Sequence, residues 1–366
     1  MEDFADDFGH IVHHPPRVVE RPTSTADVVA IMRRGVPVVA RGRGHSTFGQ
    51  AQSADGVLVD LSGLAGVTVG SHAAAGSCAT VGAGATWRDV LMAALPDRTP
   101  PVLTDYLDVS VGGTLSVGGI GGTSHRHGLQ TDQVVELEVV AHDGTVRVGG
   151  PGDPALASLG AAGIITRATV RLGPAPIRVR RCTLDLPTIT DVMAVQRDLI
   201  REGRFDYVQG QITPGWRYRV ETAAYDSTAC LPGGEVEDMP YLAFADRLAP
   251  GEAYLRSTGE WFWPHPWWNG FLPDAAADDF VARLAAELTV EALGPSGLVL
   301  VYPIFTEHLT TPAFQVPDSP IVFLVAILRC VSAGSVPDAL ADNQLWYERA
   351  RAAGGTVYPI SAIPAL

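Results

Sequence analysis

Between Gly112 and Gly122, six of eleven residues are glycine, in the run VGGTLSVGGIGG that begins at Val111. Each glycine costs about 1 kcal/mol relative to alanine in a helix interior, so the segment does not predict a stable ordinary helix. What it permits is close approach of backbone to a large flat ligand or a phosphate. Gly128 follows just beyond the basic run His125-Arg126-His127. Some sixty residues earlier stands a second segment, Arg41-Gly42-Arg43-Gly44-His45-Ser46, with Gly49 and Gln50 after it. Two glycine nests in one unit are better explained by one long ligand than by two unrelated turns.

A dinucleotide fingerprint is the first thing to test at the earlier segment. The third glycine of GxGxxG would fall on Thr47, and Asp60 at a strand end imitates an acidic ribose ligand. However, the intervening STFGQAQSADG has no apolar helical periodicity, so the crossover helix of a nucleotide-binding βαβ unit is missing. What remains is a row of backbone N–H groups beside two arginines, which suits a pyrophosphate. Taken alone, the loop reads first as a tight turn that leaves His45 at the surface.

Composition narrows the class. Of 366 residues 46% are hydrophobic, too many for disorder and enough for two cores. Lys plus Arg number 26 and Asp plus Glu 40, a formal charge of −14 that opposes nucleic acid as a main partner. Cys78, Cys182, Cys230 and Cys330 form no CxxC pair, and His10, His13 and His14 have no Cys or acidic partner at ligand spacing, so no metal is expected. MEDFADDFGHIVHH is acidic and lacks the apolar core of a signal peptide. No run reaches membrane-spanning length. The expectation is a soluble, cytoplasmic protein with no membrane partner.

Residues up to about 173 alternate short strands (37–40, 57–60, 79–81, 134–141, 145–148, 164–172) with helices, one capped by Thr25 and one following Thr86. Asp143-Gly144 predicts a type I′ hairpin turn. The stretch Gly173-Pro174-Ala175-Pro176 predicts a boundary. Beyond it, strands at 177–184, 206–213, 217–221, 298–305 and 320–328 and helices at 191–201, 274–288 and 337–352 predict a separate α+β unit, an antiparallel sheet with helices on one face.

GRGHS followed by GQA, then TDYL, VGGTLS, GGIGG, RHG and GIITRA, resembles the cytokinin dehydrogenases in order and spacing. These are FAD flavoproteins of the vanillyl-alcohol-oxidase type, with the PCMH-type FAD-binding fold. The resemblance runs from about residue 8 and continues through HPWWNGFLP, LVYPI and ARAAGGTVYPI. It implies an α+β protein: a PCMH-type FAD-binding domain of two α/β subdomains (1–173), an α+β substrate domain with an antiparallel sheet (174–350), and the start of a return segment to the FAD domain (351–366). It implies FAD bonded through His45 to the flavin 8α-methyl. Gly42, Arg43, Gly44, Ser46 and Gln50 would hold the pyrophosphate and nearby atoms. Ser110, Gly112, Gly113, Ser116 and Ile120 match further flavin contacts, Ile165 one at the adenine side, and Tyr358 a late aromatic one. No cysteine lies in 104–122, so a second covalent attachment is not expected.

A flavin performs hydride chemistry itself, and the protein supplies placement and electrostatics. Oxidising a C–H next to N or O requires the heteroatom to lose or share a proton. Asp105 of TDYL matches the family's catalytic aspartate and is placed to accept it; as a bare Thr-Asp pair it would read as a turn cap. Trp263, Trp267 and Trp268 read either as core or as pocket, with Trp267 matching a tryptophan over the flavin. His125 and His127 read as loop support.

Two features depart from the family. Gln209 stands in YVQG where relatives often carry the glutamate of VEG, which puts cytokinin itself in question. The sequence also ends at Leu366, before the tryptophan-rich helix and proline-glycine-glutamine motif of relatives. The expected function is FAD-dependent dehydrogenation or oxidation of a small, flat or allylic amine or alcohol, with dioxygen or a quinone as acceptor. The rival is a flavin-containing non-redox enzyme or binding protein of a biosynthetic pathway.

Overall fold

The computed structural model describes residues 4–364. Strands Val18–Glu20, Val38–Arg41 and Val57–Asp60 form a small parallel sheet with Val57–Asp60 at its centre. All four residues of that central strand are buried, as its unbroken apolar run requires. Helix Thr25–Met32 connects the first two strands. Its cap is Ser24 rather than Thr25: Ser24 is extended and accepts from the Asp27 amide, while the Asp27 carboxylate answers the cap backbone. Asp60 caps the following turn by accepting from the Ser62 amide, a structural use for the residue that imitates a ribose ligand.

A five-stranded antiparallel sheet follows, in the order Val67–His72, Gly76–Gly82, Ile164–Arg171, Val134–Val140, Val146–Gly149. It shares one core with the parallel sheet, built from Val28, Ile31, Val57, Val59, Ala79, Val81, Leu137 and Val170. Helix Trp87–Ala94 closes that core behind a Thr86–Asp89 capping box. The hairpin at Asp143-Gly144 is not type I′, which needs positive φ at both central residues. Only Gly144 is left-handed (φ +79°). Its amide donates to Ala141 O while Ala141 N donates to Thr145 O, an ordinary turn followed by a glycine bulge.

The C-terminal half carries an eight-stranded antiparallel sheet, in the order Glu235–Pro240, Arg178–Leu186, Arg217–Tyr225, Tyr207–Thr213, Leu298–Phe305, Ile321–Leu328, Trp268–Pro273, Thr356–Val357. Helices Ile189–Glu202, Asp274–Glu287 and Val336–Ala352 bury their apolar stripes on one face of it. The strand IVFLVAIL is apolar at every position because both its faces are covered. Phe323, Val325 and Ile327 meet the helices, whereas Val322 and Leu324 meet Leu129, Phe271 and Tyr358. That second face lies over the glycine-rich segment, and the ring of Tyr207 touches Gly122. Among the described residues no helix is long and apolar enough to cross a membrane, and all four cysteines are free.

Candidate active site

The loop after strand Val38–Arg41 packs against the start of the second glycine segment with no room for side chains. A Cβ on Gly42 would lie 1.8 Å from Ser110 Oγ, and one on Gly113 would lie 2.7 Å from the same atom. Gly44 is left-handed (φ +64°) and its missing Cβ would meet the Arg41 guanidinium. Among the described residues, no acceptor takes the amides of Arg43, Gly44, His45, Ser46 or Thr47. Consecutive unengaged N–H groups on a tight loop suit a diphosphate. Gly42→Ala therefore pushes the two segments apart. Overpacking of this kind costs about 1–3 kcal/mol, so titration of the apoprotein is expected to show FAD affinity reduced roughly tenfold or more.

Ser46 is committed elsewhere: its hydroxyl donates to Asp7 at 2.8 Å, and the Gly49 amide reaches the same carboxylate at 2.7 Å. Gln50 accepts from Phe48 N (2.9 Å) and its amide points to the carbonyls of Pro359 and Ser361 at 3.4 and 3.3 Å. The segment 358–361 is thus tied to the loop. Tyr358 also reaches the second nest, accepting from the Gly119 amide at 3.2 Å.

That nest begins, against expectation, with a short helix, Val111–Leu115. One turn tolerates Gly112 and Gly113 because close packing compensates: a Cβ on Gly112 would meet Ala83 at 2.7 Å. Ser116 donates to the Gly112 carbonyl at 2.8 Å. Gly118 and Gly119 then turn left-handed (φ +122° and +75°). Beside Gly119 the buried Gln130 presents Oε1 without a partner. Ile120 packs with Tyr358 and Phe314. Ile165 lies in the N-terminal core, paired with Val139.

Gly121 brings the TDYL loop in: its absent Cβ would lie 1.9 Å from Leu103 O. Asp105 is thereby carried across to the eight-stranded sheet. Its carboxylate accepts from Tyr207 Oη (3.0 and 3.2 Å), Gln209 Nε2 (2.9 Å), Tyr302 Oη (2.5 Å) and an Arg247 guanidinium N–H (2.7 Å). Burial pushes this carboxyl up, but the Arg247 charge and the hydrogen bonds from Tyr302, Arg247 and Tyr207 outweigh burial and hold it below the usual range. Burial lifts Tyr207 and Tyr302 well above 10, so both remain O–H donors. Arg247 lies over the rings of Tyr207 and Phe244 and also reaches buried Glu221 at 3.3 Å. Glu221 is held on its other side by Arg181 at 3.0 Å and by Gln211, which hydrogen-bonds back to Gln209. The result is a closed polar network of two acids and two arginines. A cavity of about 350 Å³ opens on it, lined in part by Thr104, Asp105, Tyr225, Tyr241, Phe244 and Arg247.

His45 is not at the surface but half-buried in an aromatic box. Phe8 stacks on one face (4.0 Å, 22°) and Tyr106 on the other (4.8 Å, 22°), with Trp267 edge-on at 5.9 Å. Burial, then His265, Arg256 and Arg43, push its pKa down to about 3, so the imidazole is neutral at ordinary pH. The three tryptophans separate. Trp267 belongs to this box, Trp268 is core stacked on Phe280, and Trp263 is 39% exposed. His125 is buried and bonded to the carbonyls of Gly122 and Phe205, a supporting role. His10 does have an acidic neighbour, Asp6 at 2.5 Å, but no cluster of three metal-ligating side chains occurs among the described residues.

Residues 16–150 match the family model described as FAD binding domain, and 233–351 match that described as cytokinin dehydrogenase 1, FAD and cytokinin binding. The chain is 38% identical to an oxidoreductase of the fasciation locus of Rhodococcoides fascians, over 98% of this chain and 87% of that one. Cytokinin dehydrogenase 10 of Oryza sativa subsp. japonica is 33% identical over 96% of this chain and 78% of its own. Cytokinin dehydrogenase 4 of Arabidopsis thaliana is 32% identical, over 93% and 78%. The chain belongs to the cytokinin dehydrogenase family. It is an FAD-dependent oxidoreductase, and the unengaged amides and side-chain-free cradle fit the FAD diphosphate.

Within this family chain, Asp105 and Gln209 meet directly, and the two glycine segments touch. Tyr207, Glu221, Arg247 and Tyr302 in the acid network, and Phe8, Tyr106, Trp261 and His265 around His45, join the site although the sequence motifs assign them no role. Tyr207, Gln209 and Gln211 share one face of a strand at period two, a signal that was present in YVQGQ. Arg247 has no such signal, since its partner Asp105 lies 142 residues away.

Proposed function

We propose that the enzyme carries FAD covalently through His45 and oxidises a C–H next to N or O of a small flat substrate, with Asp105 receiving the heteroatom proton. The reading rests above all on the buried Asp105 carboxylate, held anionic on a loop packed against the glycine cradle. When bound, the flavin supplies the hydride acceptor, and dioxygen or a quinone regenerates it. An ionised carboxylate offers about four acceptor positions, and the contacts to Asp105 already fill them. A substrate N–H or O–H therefore reaches Oδ2 by displacing a protein donor. Arg247 is the one charged donor, so the position is given up by one of the neutral three, Gln209, Tyr207 or Tyr302. Arg247 keeps the carboxylate charged until then, and Trp267 offers a ring edge to a flat molecule. Gln209, unlike a glutamate, adds no second negative charge, which suits a substrate that is not a cytokinin.

The crowding of Asp105 also favours a second reading, a flavin enzyme without net redox chemistry. Anaerobic addition of amines and alcohols to the purified protein separates the two. Bleaching of the flavin absorbance is the expected result, and turnover without bleaching supports the second reading instead. The covalent assignment has its own check. Wild-type protein is expected to carry the added mass of FAD, and His45→Ala to lose it while still taking up FAD noncovalently and oxidising substrate more slowly. Retention of the added mass in His45→Ala would place the bond elsewhere.

A further inference from the structure

His45 does not stand in the aromatic box by chance of packing, because an N-terminal clasp builds the box around it. Phe8 N donates to Gly44 O at 2.9 Å and Gly9 N to Ser46 O at 3.0 Å, so residues 7–9 run beside the cofactor loop. Only glycine fits at position 9, where a Cβ would lie 2.1 Å from Thr47 O. Asp7 locks the arrangement through Ser46 Oγ and the Gly49 amide. On the outer side, His265 N donates to Gly9 O at 2.8 Å, and the His265 ring meets Phe8 O at 3.1 Å. Four rings then stack in sequence, His265, Phe8, His45 and Tyr106, at centroid spacings of 4.2, 4.0 and 4.8 Å and interplanar angles of 22–25°. Both faces of His45 are covered, and among the described residues neither ring nitrogen has a hydrogen-bond partner. Only the ring edge, with its nitrogens, is available.

We infer that the clasp Asp7-Phe8-Gly9, with Tyr106 opposite, positions His45 for covalent attachment of the flavin, and that Phe8 is the residue that sets the imidazole plane. The inference rests on the covalent reading above. In the attachment a C–N bond forms between a His45 ring nitrogen and the 8α-carbon. One methyl hydrogen and one imidazole hydrogen leave with two electrons, and dioxygen carries them away as hydrogen peroxide. The clasp contributes orientation alone: an imidazole free to rotate presents its edge in the required plane only part of the time. Phe8 is a positioning residue in this step, since its contact is with the His45 ring.

The test follows covalent incorporation over time. Apoprotein of wild type, Phe8→Ala, Phe8→Leu and Phe8→Tyr is incubated aerobically with FAD, and the covalent fraction is read by intact mass after acid denaturation. Noncovalent FAD affinity is measured in parallel by fluorescence titration. Phe8→Ala is expected to slow covalent incorporation by about tenfold or more with affinity changed by less than about threefold. Phe8→Leu keeps the apolar bulk, and so the fold, but not the planar face, and is expected to be slowed as well. Phe8→Tyr restores the wild-type rate. Folded Ala or Leu variants that incorporate FAD at the wild-type rate overturn the positioning role while leaving the covalent reading intact. Loss of FAD affinity in step with the rate overturns it too, reducing Phe8 to a part of the binding site. Wild type without any added mass overturns the covalent reading and this inference with it.

Discussion

Asp105→Asn slows reduction of the bound flavin by about 10²–10⁴, the usual cost of losing a general base. Asparagine keeps the size and one acceptor oxygen but takes no proton near neutral pH. Substrate affinity is expected to stay within about tenfold, because the loss falls on the transition state rather than on ground-state binding. The fold survives, since Arg247 keeps Glu221 and Tyr207 as neighbours. Stopped-flow mixing of the oxidised enzyme with substrate under argon reads the reductive step directly. A variant that reduces its flavin within a few-fold of wild type would return Asp105 to a purely structural role, as a tie between the glycine cradle and the large sheet.

Arg247→Met produces the larger effect on stability. Arg247 and Asp105 are both mostly buried, with side chains 12% and 14% exposed. Removing one partner of a buried pair costs about 3–5 kcal/mol, because the other is left as an uncompensated charge. Methionine fills the space between Tyr207 and Phe244, so the cost is electrostatic rather than a cavity. The pH dependence carries the signature. In the wild type the folded Asp105 lies below its unfolded value, so its stabilising contribution is present above pH 3.8 and is lost as pH falls through the lower, folded value. Without Arg247, burial dominates and the folded carboxyl rises above 3.8. The sign then reverses: the penalty is full at neutral pH and is relieved as pH falls and the carboxyl protonates. Urea midpoints measured from pH 7 to pH 4.5 should show the gap between variant and wild type narrowing toward acid. A gap that stays constant or widens would mean that Asp105 is not the group released.

Much of the architecture was legible because the long elements have strong local signals. The strand Leu298–Phe305 is where its unbroken apolar run places it, and helices at Ile189–Glu202, Asp274–Glu287 and Val336–Ala352 lie within two residues of the expected bounds. Small errors had local causes. Ser24 outcompetes Thr25 as a cap because Asp27 stands three residues after Ser24 and completes the reciprocal pair. At 143–144, Asp143 takes the Thr145 amide and stays out of the left-handed region, leaving Gly144 to turn alone. The site was legible only in part, for a different reason. Gly42, Asp105 and Gln209 stand in short motifs, whereas Tyr302 reaches Asp105 across 197 residues and Arg247 across 142. Such pairings are consequences of topology, which periodicity and turn chemistry do not encode. Phe8 was hidden for the converse reason: a phenylalanine among acidic residues carries no mark of the imidazole it will face.

The acid network has an inheritance split down the middle. Asp105 comes with the stretch that supplies both glycine segments, while every donor that holds it, Tyr207, Gln209, Arg247 and Tyr302, comes from the chain after residue 173. The carboxylate and its tuning are thus separately transmissible. In a chimaera between two relatives, the flavin cradle and the aspartate would travel with the first parent, and the basicity of that aspartate with the second. Recombination near the proline-rich stretch would retune that carboxylate without altering a single residue of the glycine segments.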